Sequence, residues 1–343
     1  MSRDQNRPFF ISRRTVLAGA LATAPLTACG RSEVPVDEAG RVRLRFATDW
    51  SARAEHGGFY QALAGGGYER RGLNVQIVQG APDVDVPGLL ASGAVELGIG
   101  SNSFIPMNLA AEGAPVKAVA AFFQKDPQAL VAHAEPALKS IGDLKGRPIM
   151  LTGTARTTFW PWLKARYGFT DDQLRDYSAD PAIFIDDRQA VLQGYLTSTP
   201  YLIEQAGGKE PKVFLLSDED YPSYGSIVLA PNAFARDNAT ALRSFIAASA
   251  EGWRDYIHGD SRAADALIRQ DNPGVNQALL DQSRDRLRDS GIVDGGDAAL
   301  YGLGTMTDDR WRAFFEVAAE PEVYSSTLNW RDAFTIQYLP GRS

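Results

Sequence analysis

Cysteine and histidine are scarce in this chain of 343 residues, which contains one cysteine, Cys29, and three histidines. A single cysteine excludes an intrachain disulfide and any zinc or iron–sulfur site built from several cysteines. The histidines form no H-E-x-x-H zinc-protease motif, and the G-x-S-x-G hydrolase motif does not occur. We therefore expect that the chain is not an enzyme and that it carries neither a cofactor nor a metal.

The chain also lacks a net positive charge and any repeated sequence. The chain has 35 Lys and Arg against 42 Asp and Glu, a formal net charge of −7. Because a negative field repels phosphate, nucleic acid is not an expected partner. The 32 glycines and 19 prolines follow no period, which excludes collagen, solenoid and coiled-coil order. The length and the 44% hydrophobic content suffice for two domains.

The N-terminal segment has the pattern of an export signal. Arg13-Arg14 precede an apolar run of about a dozen residues, too short to span a bilayer. Residues 1–28 are therefore predicted to be a signal peptide of the twin-arginine type. Leu26-Thr27-Ala28-Cys29 is similar to a lipobox, which predicts acyl chains on Cys29, and residues 29–41 form a polar tether. The alternatives are an uncleaved membrane helix or a chance cysteine. We expect a membrane-anchored lipoprotein in the periplasm or at the cell surface.

From Val42 onward, short β-rich runs alternate with amphipathic segments, which predicts an α/β fold. The chain divides into two lobes, with residues 42–126 plus 229–343 in lobe 1 and residues 127–228 in lobe 2. The part of lobe 1 after Asn232 is a helical C-terminal segment. Two lobes leave a cleft between them, and small ligands usually bind in such clefts.

Two features at predicted helix starts permit more than one interpretation. Ser101 and Asn102 follow a predicted strand, Glu96–Ile99, where free N–H groups suit a polar or anionic ligand. A plain helix cap explains them equally well. Arg156 is placed to bind a sulfonate or phosphate, although solvent exposure explains it as well.

An ordered set of motifs resembles solute-binding proteins of the thiamine-pyrimidine-synthase and nitrate-sulfonate-taurine superfamily. The motifs that carry this resemblance are Thr48–Trp50, Glu55–Ala62, Leu90–Gly93, Glu96–Gly100, Phe122–Pro127, Ser140–Gly146, Arg156–Pro161, Gln193–Tyr195 and Tyr221–Gly225. The resemblance implies a type II periplasmic-binding-protein fold and delivery of a ligand to an ABC permease and its ATPase. The later motifs are similar to the branch that imports thiamine-precursor-like pyrimidines. Alternatives are a receptor for sulfonate, taurine or nitrate and, less favoured, a pyrimidine-forming enzyme.

The chain departs from this branch in two ways. Branch members generally carry a glutamate in a Thr-Ser-Glu-Pro segment, whereas Thr199 takes that place here. This difference puts the specificity for an amino-pyrimidine in doubt. The related eukaryotic enzymes use a cysteine-rich metal motif, which this chain lacks. His56 matches a histidine that those enzymes consume, and without the metal motif we interpret it as a ligand-contacting or cap residue.

The resemblance implies a cleft that combines aromatic faces with hydrogen-bonding groups. The candidate aromatic faces are Trp50, Phe59, Tyr60, Trp160, Tyr195, Tyr221 and Tyr224. The candidate polar groups are Asp49, His56, Ser101, Asn102, Asp126, Arg156, Thr199 and Ser226. A flat ring gains about 0.5–1.5 kcal/mol per aromatic contact beyond area burial, and an unmatched buried edge costs about 1–3 kcal/mol. For each aromatic residue the alternative is packing in the core of a lobe.

Overall fold

The computed structural model describes residues 34–82, 84–319 and 323–340. The predicted signal peptide, the lipobox with Cys29 and the first part of the tether lie outside the described residues. Within the described ranges, no helix is both long and apolar enough to cross a membrane.

Ten strands and thirteen α-helices are formed by the described residues. The strands are β1 (Val42–Ala47), β2 (Leu73–Val78), β3 (Leu97–Asn102), β4 (Val116–Phe123), β5 (Gln128–Ala132), β6 (Ile149–Leu151), β7 (Leu174–Asp176), β8 (Val191–Tyr195), β9 (Lys212–Leu215) and β10 (Gly225–Pro231). The helices are α1 (Gly57–Ala64), α2 (Val86–Ala91), α3 (Phe104–Ala111), α4 (Gly153–Thr157), α5 (Phe159–Tyr167), α6 (Pro181–Asp186), α7 (Thr199–Gln205), α8 (Asn232–Asp237), α9 (Ala239–His258), α10 (Arg262–Asp271), α11 (Gln277–Asp289), α12 (Ala298–Tyr301) and α13 (Asp308–Ala319).

Two five-stranded sheets form the two lobes. The first has the order β2-β1-β3-β10-β4, in which β10 runs antiparallel to β3 and β4. The second has the order β7-β6-β8-β5-β9, in which β5 runs antiparallel to β8 and β9. The chain passes to the second sheet between Phe123 and Gln128 and returns between Leu215 and Gly225. The predicted lobe limits at 126/127 and 228/229 stay a prediction. The second limit falls inside β10, all of which belongs to the first sheet.

The strand patterns follow from burial. In β1 the buried Leu44 and Phe46 alternate with more exposed residues, as expected for a strand near the sheet edge. All five residues of β5 are buried, which explains its continuous apolar sequence. The predicted strand Glu96–Ile99 continues to Asn102, because Gly225 of β10 pairs with Asn102 and prolongs β3.

Two helices of the first lobe approach each other closely through glycines. A Cβ at Gly58 would lie 2.1 Å from the Trp253 ring, and one at Gly252 would lie 2.2 Å from the Gly58 carbonyl oxygen. Any larger residue would push α1 away from α9. This packing fixes the start of α1 and hence the position of His56, which directly precedes it.

Candidate functional site

A cleft of about 580 Å³ is lined by residues of both lobes. Its volume lies within the range of about 300–1,000 Å³ that is usual for small-molecule sites. The first lobe contributes the loop after β1, the start of α2, the end of β3, part of α3 and one residue of β10. The second lobe contributes Gln128 of β5, Thr152 with most of α4, Tyr177, and residues between Gln193 and Thr199.

One wall of the cleft is apolar. Its side chains come from the loop before α2 and from α2, β3, α3 and β4 of the first lobe: Val84, Val86, Ile99, Ile105, Leu109 and Phe123. Such a surface suits the face of a ring or a methyl-bearing group, because covering it removes apolar area from water.

Asp49 and His56 form a hydrogen-bonded pair that also lines the cleft. His56 is 3% exposed, and its Nε2 lies 3.1 Å from Asp49 Oδ1. Its Nδ1 is buried without a partner. When Nε2 donates to the carboxylate, Nδ1 of the neutral ring is left as an acceptor. The pair therefore presents a fixed acceptor to a ligand.

Glu55 is a buried carboxylate on the same side of the cleft, 6% exposed. Its Oε1 accepts a hydrogen bond from Thr197 Oγ1 of the second lobe. Its Oε2 is buried and has no hydrogen-bond partner. The Glu55–Ala62 motif contains this residue, but sequence reasoning did not select it as a site residue, since nothing local indicates that it faces a loop of the other lobe.

Two aromatic rings meet across the cleft. The centroids of Trp50 and Tyr177 are 5.9 Å apart and the planes are at 87°, an edge-to-face contact between the lobes. The Arg53 guanidinium lies 6.0 Å from the Trp50 ring centroid. Burial raises the pKa of Tyr177, whereas the charge of Arg53 opposes that rise. Sequence reasoning missed Tyr177, because it follows the three-residue strand β7, which has no clear period.

The end of β8 and the start of α7 bring Tyr195 and Thr199 to the cleft. The Tyr195 backbone N donates to Thr199 Oγ1 at 3.0 Å, and a Cβ at Gly194 would lie 2.4 Å from that oxygen. Gly194 thus permits the turn that exposes both side chains to the cleft. Burial raises the pKa of Tyr195 well above its ordinary value, and the charges of Asp49, Asp126 and Glu55 add to the rise. The phenol therefore stays neutral.

Two serines complete the wall on the first lobe, Ser101 at the end of β3 and Ser226 in β10. Ser226 has a φ of +45°, a left-handed conformation that is costly for a residue with a Cβ. Its Oγ is buried without a partner. Backbone strain and an unpaired hydroxyl at one residue are typical of a binding site.

The remaining predicted site residues lie outside the cleft wall, and most have partners elsewhere. The Tyr60 hydroxyl donates to Asp271 at 2.7 Å, and Trp160 Nε1 donates to Asp171 at 2.8 Å. The Tyr224 hydroxyl donates to Asp297, and Tyr221 is buried with its ring 5.1 Å from that of Trp162. These contacts agree with the alternative interpretation, in which the aromatic residues pack in the core of a lobe. A ligand contact of the four aromatic residues stays a prediction, and the proposal below does not use it.

Three polar candidates lie off the wall as well. Asn102 Oδ1 accepts from the Phe104 backbone N at 3.1 Å in the turn that leads into α3, whose N-cap residue is Ser103. Arg156 pairs with Asp176 at 2.8 Å. Asp126 is fully buried near Tyr195, and its Oδ1 accepts from the Gln128 backbone N at 3.0 Å. Burial raises the pKa of Asp126 well above its usual range.

The family follows from comparison with known proteins. A family model described as NMT1/THI5 like matches residues 53–263, more than half of the chain. The chain belongs to the NMT1/THI5-like family. This result confirms the resemblance found in the motifs.

Two curated relatives of this NMT1/THI5-like chain are named as binding proteins. Riboflavin-binding protein RibY of Chloroflexus aurantiacus is 27% identical over 238 residues, which cover 68% of this chain and 67% of that protein. The formylaminopyrimidine-binding protein of Halalkalibacterium halodurans is 25% identical over 262 residues, which cover 74% of this chain and 78% of that protein.

Solved structures agree on the fold. The alkanesulfonate-binding protein SsuA of Xanthomonas axonopodis pv. citri, bound to MOPS, is 12% identical and matches with a TM-score of 0.60. The match covers 87% of this chain and 97% of that one. At this identity the likeness concerns the fold alone, and it confirms the predicted two-lobed type II periplasmic-binding-protein fold. Among the side chains that the structure describes, no group of three or more His, Cys, Asp or Glu is arranged to hold a metal ion.

Proposed function

We propose that this NMT1/THI5-like chain is the extracytoplasmic solute-binding receptor of an ABC importer. It binds an aromatic nitrogen heterocycle of the pyrimidine or flavin kind between its lobes and releases it unchanged to a permease. The observation that carries the proposal is a two-lobed cleft whose aromatic and apolar walls enclose buried polar atoms without partners. The names of the two curated relatives support the ligand class.

The charge of the cleft favours a neutral or cationic ligand. Its described carboxylates are Asp49, Glu55, Asp85 and Glu112. Arg53 is the guanidinium among its described lining residues, and His56 is hydrogen-bonded to Asp49. An anion would enter a predominantly negative cleft, where like charges repel it.

The apolar surfaces favour a flat ring. Trp50 and Tyr177 stand on opposite lobes, and the apolar wall lies within the same cleft. A heterocycle inserted there gains area burial on its faces, and aromatic contacts add about 0.5–1.5 kcal/mol each. Its ring nitrogens and amino groups then meet His56, Glu55 and Ser226, whose unpaired atoms penalise a ligand with the wrong edge.

The cellular setting of the proposal rests on the N-terminal sequence. A twin-arginine signal exports the folded chain, and acyl chains on Cys29 hold it at the membrane beside the permease and its ATPase. Residues 29–41 link this anchor to the first lobe, and their described part is bonded to that lobe through Val36 and Asp37.

A receptor for small anions is the second candidate, because Arg53 Nε is buried in the cleft without a partner. A sulfonate or nitrate would bind there by a charge-assisted hydrogen bond. A pyrimidine-forming enzyme is the third candidate, with His56 as the reactant.

A thermal-shift panel distinguishes these candidates. A ligand present at 100 times its Kd adds about 2.7 kcal/mol to the free energy of unfolding. We expect stabilisation by riboflavin or by a formylaminopyrimidine, and none by taurine or nitrate. Stabilisation by taurine or nitrate alone would overturn the heterocycle proposal in favour of the anion receptor. Chemical conversion of a bound heterocycle, abolished by His56→Asn without loss of binding, would indicate the enzyme.

A further inference from the structure

Glu55 combines three properties that no other carboxylate of the described cleft wall has together. It is 6% exposed, one oxygen is bonded to the opposite lobe, and the other oxygen is buried without a partner. By contrast, Asp49 bonds to His56, Asp85 caps α2 through the Gly88 backbone N, and Glu112 is exposed.

An unpaired carboxylate oxygen in a buried position is costly unless a donor reaches it. Glu55 lines the cleft, and no protein donor among the described residues reaches its Oε2, so we assign that oxygen to a donor on a ligand bound in the cleft. Ionised carboxylates only accept hydrogen bonds, so the complementary ligand group must be an N–H or O–H donor, and on the ring edge of a heterocycle that donor is an imide or amino N–H.

The bond to Thr197 fixes the orientation of that acceptor. Thr197 is fully buried, its Oγ1 donates to Glu55 Oε1, and its carbonyl oxygen accepts from Ser283 Oγ at 3.0 Å. Ser283 lies on α11, so the loop that carries Thr197 is held from two sides. Glu55 therefore offers its second oxygen in one direction, as a preorganised acceptor.

We propose that Glu55 is a specificity-determining residue that selects heterocycles with an N–H donor, either a ring imide or an exocyclic amino group, with Thr197 as its positioning residue. This inference rests on the proposed function, since it assigns the chemical edge that the cleft reads. Thr199 also lines the cleft, but its hydroxyl carries no charge. The role of a charged hydrogen-bond acceptor for the ligand N–H is therefore assigned to Glu55.

The test uses ligand pairs that differ in the donor alone. Riboflavin is compared with 3-methylriboflavin, and 4-amino-2-methylpyrimidine with its 4-dimethylamino analogue, by calorimetric titration of the full-length protein. For the pair that the wild type binds, we expect the N–H member to bind about tenfold or more tightly than its methylated partner.

Glu55→Gln is the decisive variant. Thr197 Oγ1 still donates to the amide oxygen, which turns the amide N–H₂ toward the site of Oε2, so a donor faces the ligand's donor. We expect the preference for the N–H member to fall by about tenfold or more, to near parity or below. Thr197→Val removes the bond that orients Glu55, so the preference for the N–H member should fall as well, by less than in Glu55→Gln because the carboxylate remains.

Glu112→Gln is the matched control, because it removes the same unit charge from an exposed position of the same cleft. The ratio of affinities for the N–H and methylated ligands should be the same in Glu112→Gln as in the wild type. Should Glu55→Gln fail to fold by circular dichroism, Glu55→Asp retains the charge and withdraws the acceptor, and the same loss of ratio is expected.

The outcomes separate the inference from the function on which it rests. A wild type that binds no member of either pair overturns the proposed function. Binding with equal affinity for the N–H and methylated members, or a ratio unchanged by Glu55→Gln, overturns the role of Glu55 and leaves the receptor function intact. If Glu112→Gln reduces the preference for the N–H ligand as much as Glu55→Gln does, the preference comes from the net charge of the cleft. That result also overturns the role of Glu55.

Discussion

Two buried carboxylates, Glu55 in the cleft and Asp265 in the helical segment, have opposite surroundings. Asp265 is 1% exposed and accepts hydrogen bonds from Tyr256, Ser261, Gln277 and Arg284 at 2.9–3.1 Å. Glu55 is 6% exposed and accepts one, from Thr197. A fully paired network stabilises the packing of α9, α10 and α11, whereas the unpaired oxygen of Glu55 is kept for a ligand. The number of partners thus distinguishes a carboxylate that serves the fold from one that serves binding.

The largest expected effect is a loss of stability when the fully paired carboxylate, Asp265, is removed. Asp265→Ala leaves the guanidinium of Arg284, 17% exposed, without its buried partner. Removing one member of a buried ion pair costs about 3–5 kcal/mol, and the remaining contact with Asp281 places the loss near the lower end. Urea unfolding measures it.

Asp281→Ala is the control, since Asp281 is 49% exposed and should cost less than about 1 kcal/mol. A loss for Asp265→Ala as small as that of the control would show that the network does not stabilise the helical segment.

The next effect is a pH-dependent change in the free energy of unfolding, and it comes from Asp126. Because its pKa is raised in the folded protein, the folded state binds a proton more tightly than the unfolded chain. Its contribution to stability is complete below the unfolded pKa and is lost as the pH rises through the folded pKa. Asp126→Asn keeps the acceptor for the Gln128 backbone N and removes the titration.

Urea unfolding at pH 5 and pH 8 tests this sign. The free energy of unfolding of Asp126→Asn, relative to the wild type, should be higher at pH 8 than at pH 5. An identical difference at both pH values would mean that Asp126 titrates in the folded protein as it does in the unfolded chain.

The smallest expected effect concerns an aromatic face of the cleft. Trp50→Ala removes a ring that contacts Tyr177 of the other lobe, and we expect the Kd for the heterocycle to rise about tenfold, or about 1.4 kcal/mol. Trp330→Ala is the matched control, because Trp330 stacks on Phe334 in the helical segment and should leave the Kd unchanged. Equal changes in both variants would exclude Trp50 as a ligand contact.

The sequence predicted the fold better than the details of the site. Alternating strands and helices predicted two α/β lobes, and the ordered motifs predicted the family, both of which are confirmed. Asp49, Trp50, His56 and Tyr195 lie on the cleft wall where loops follow strands, although their contacts with a ligand stay predictions. Loop positions after strands are thus visible in the sequence.

What the sequence did not reveal depends on distant contacts. Tyr177 reaches Trp50, and Thr197 reaches Glu55, only because the second lobe folds against the first. Conversely, Tyr60 and Trp160 have the composition of ligand platforms, but both are buried in helices and bonded to Asp271 and Asp171. Residue type alone does not distinguish an aromatic ring in the core from one on the cleft wall.

Native mass spectrometry of the protein isolated from its own cells tests the central claim most directly. Unpaired polar atoms in an aromatic cleft predict a single bound heterocycle that carries an N–H donor, at lower occupancy in a Trp50→Ala sample prepared in parallel. A sulfonate or another organic acid in the cleft, retained by Trp50→Ala, would contradict the account.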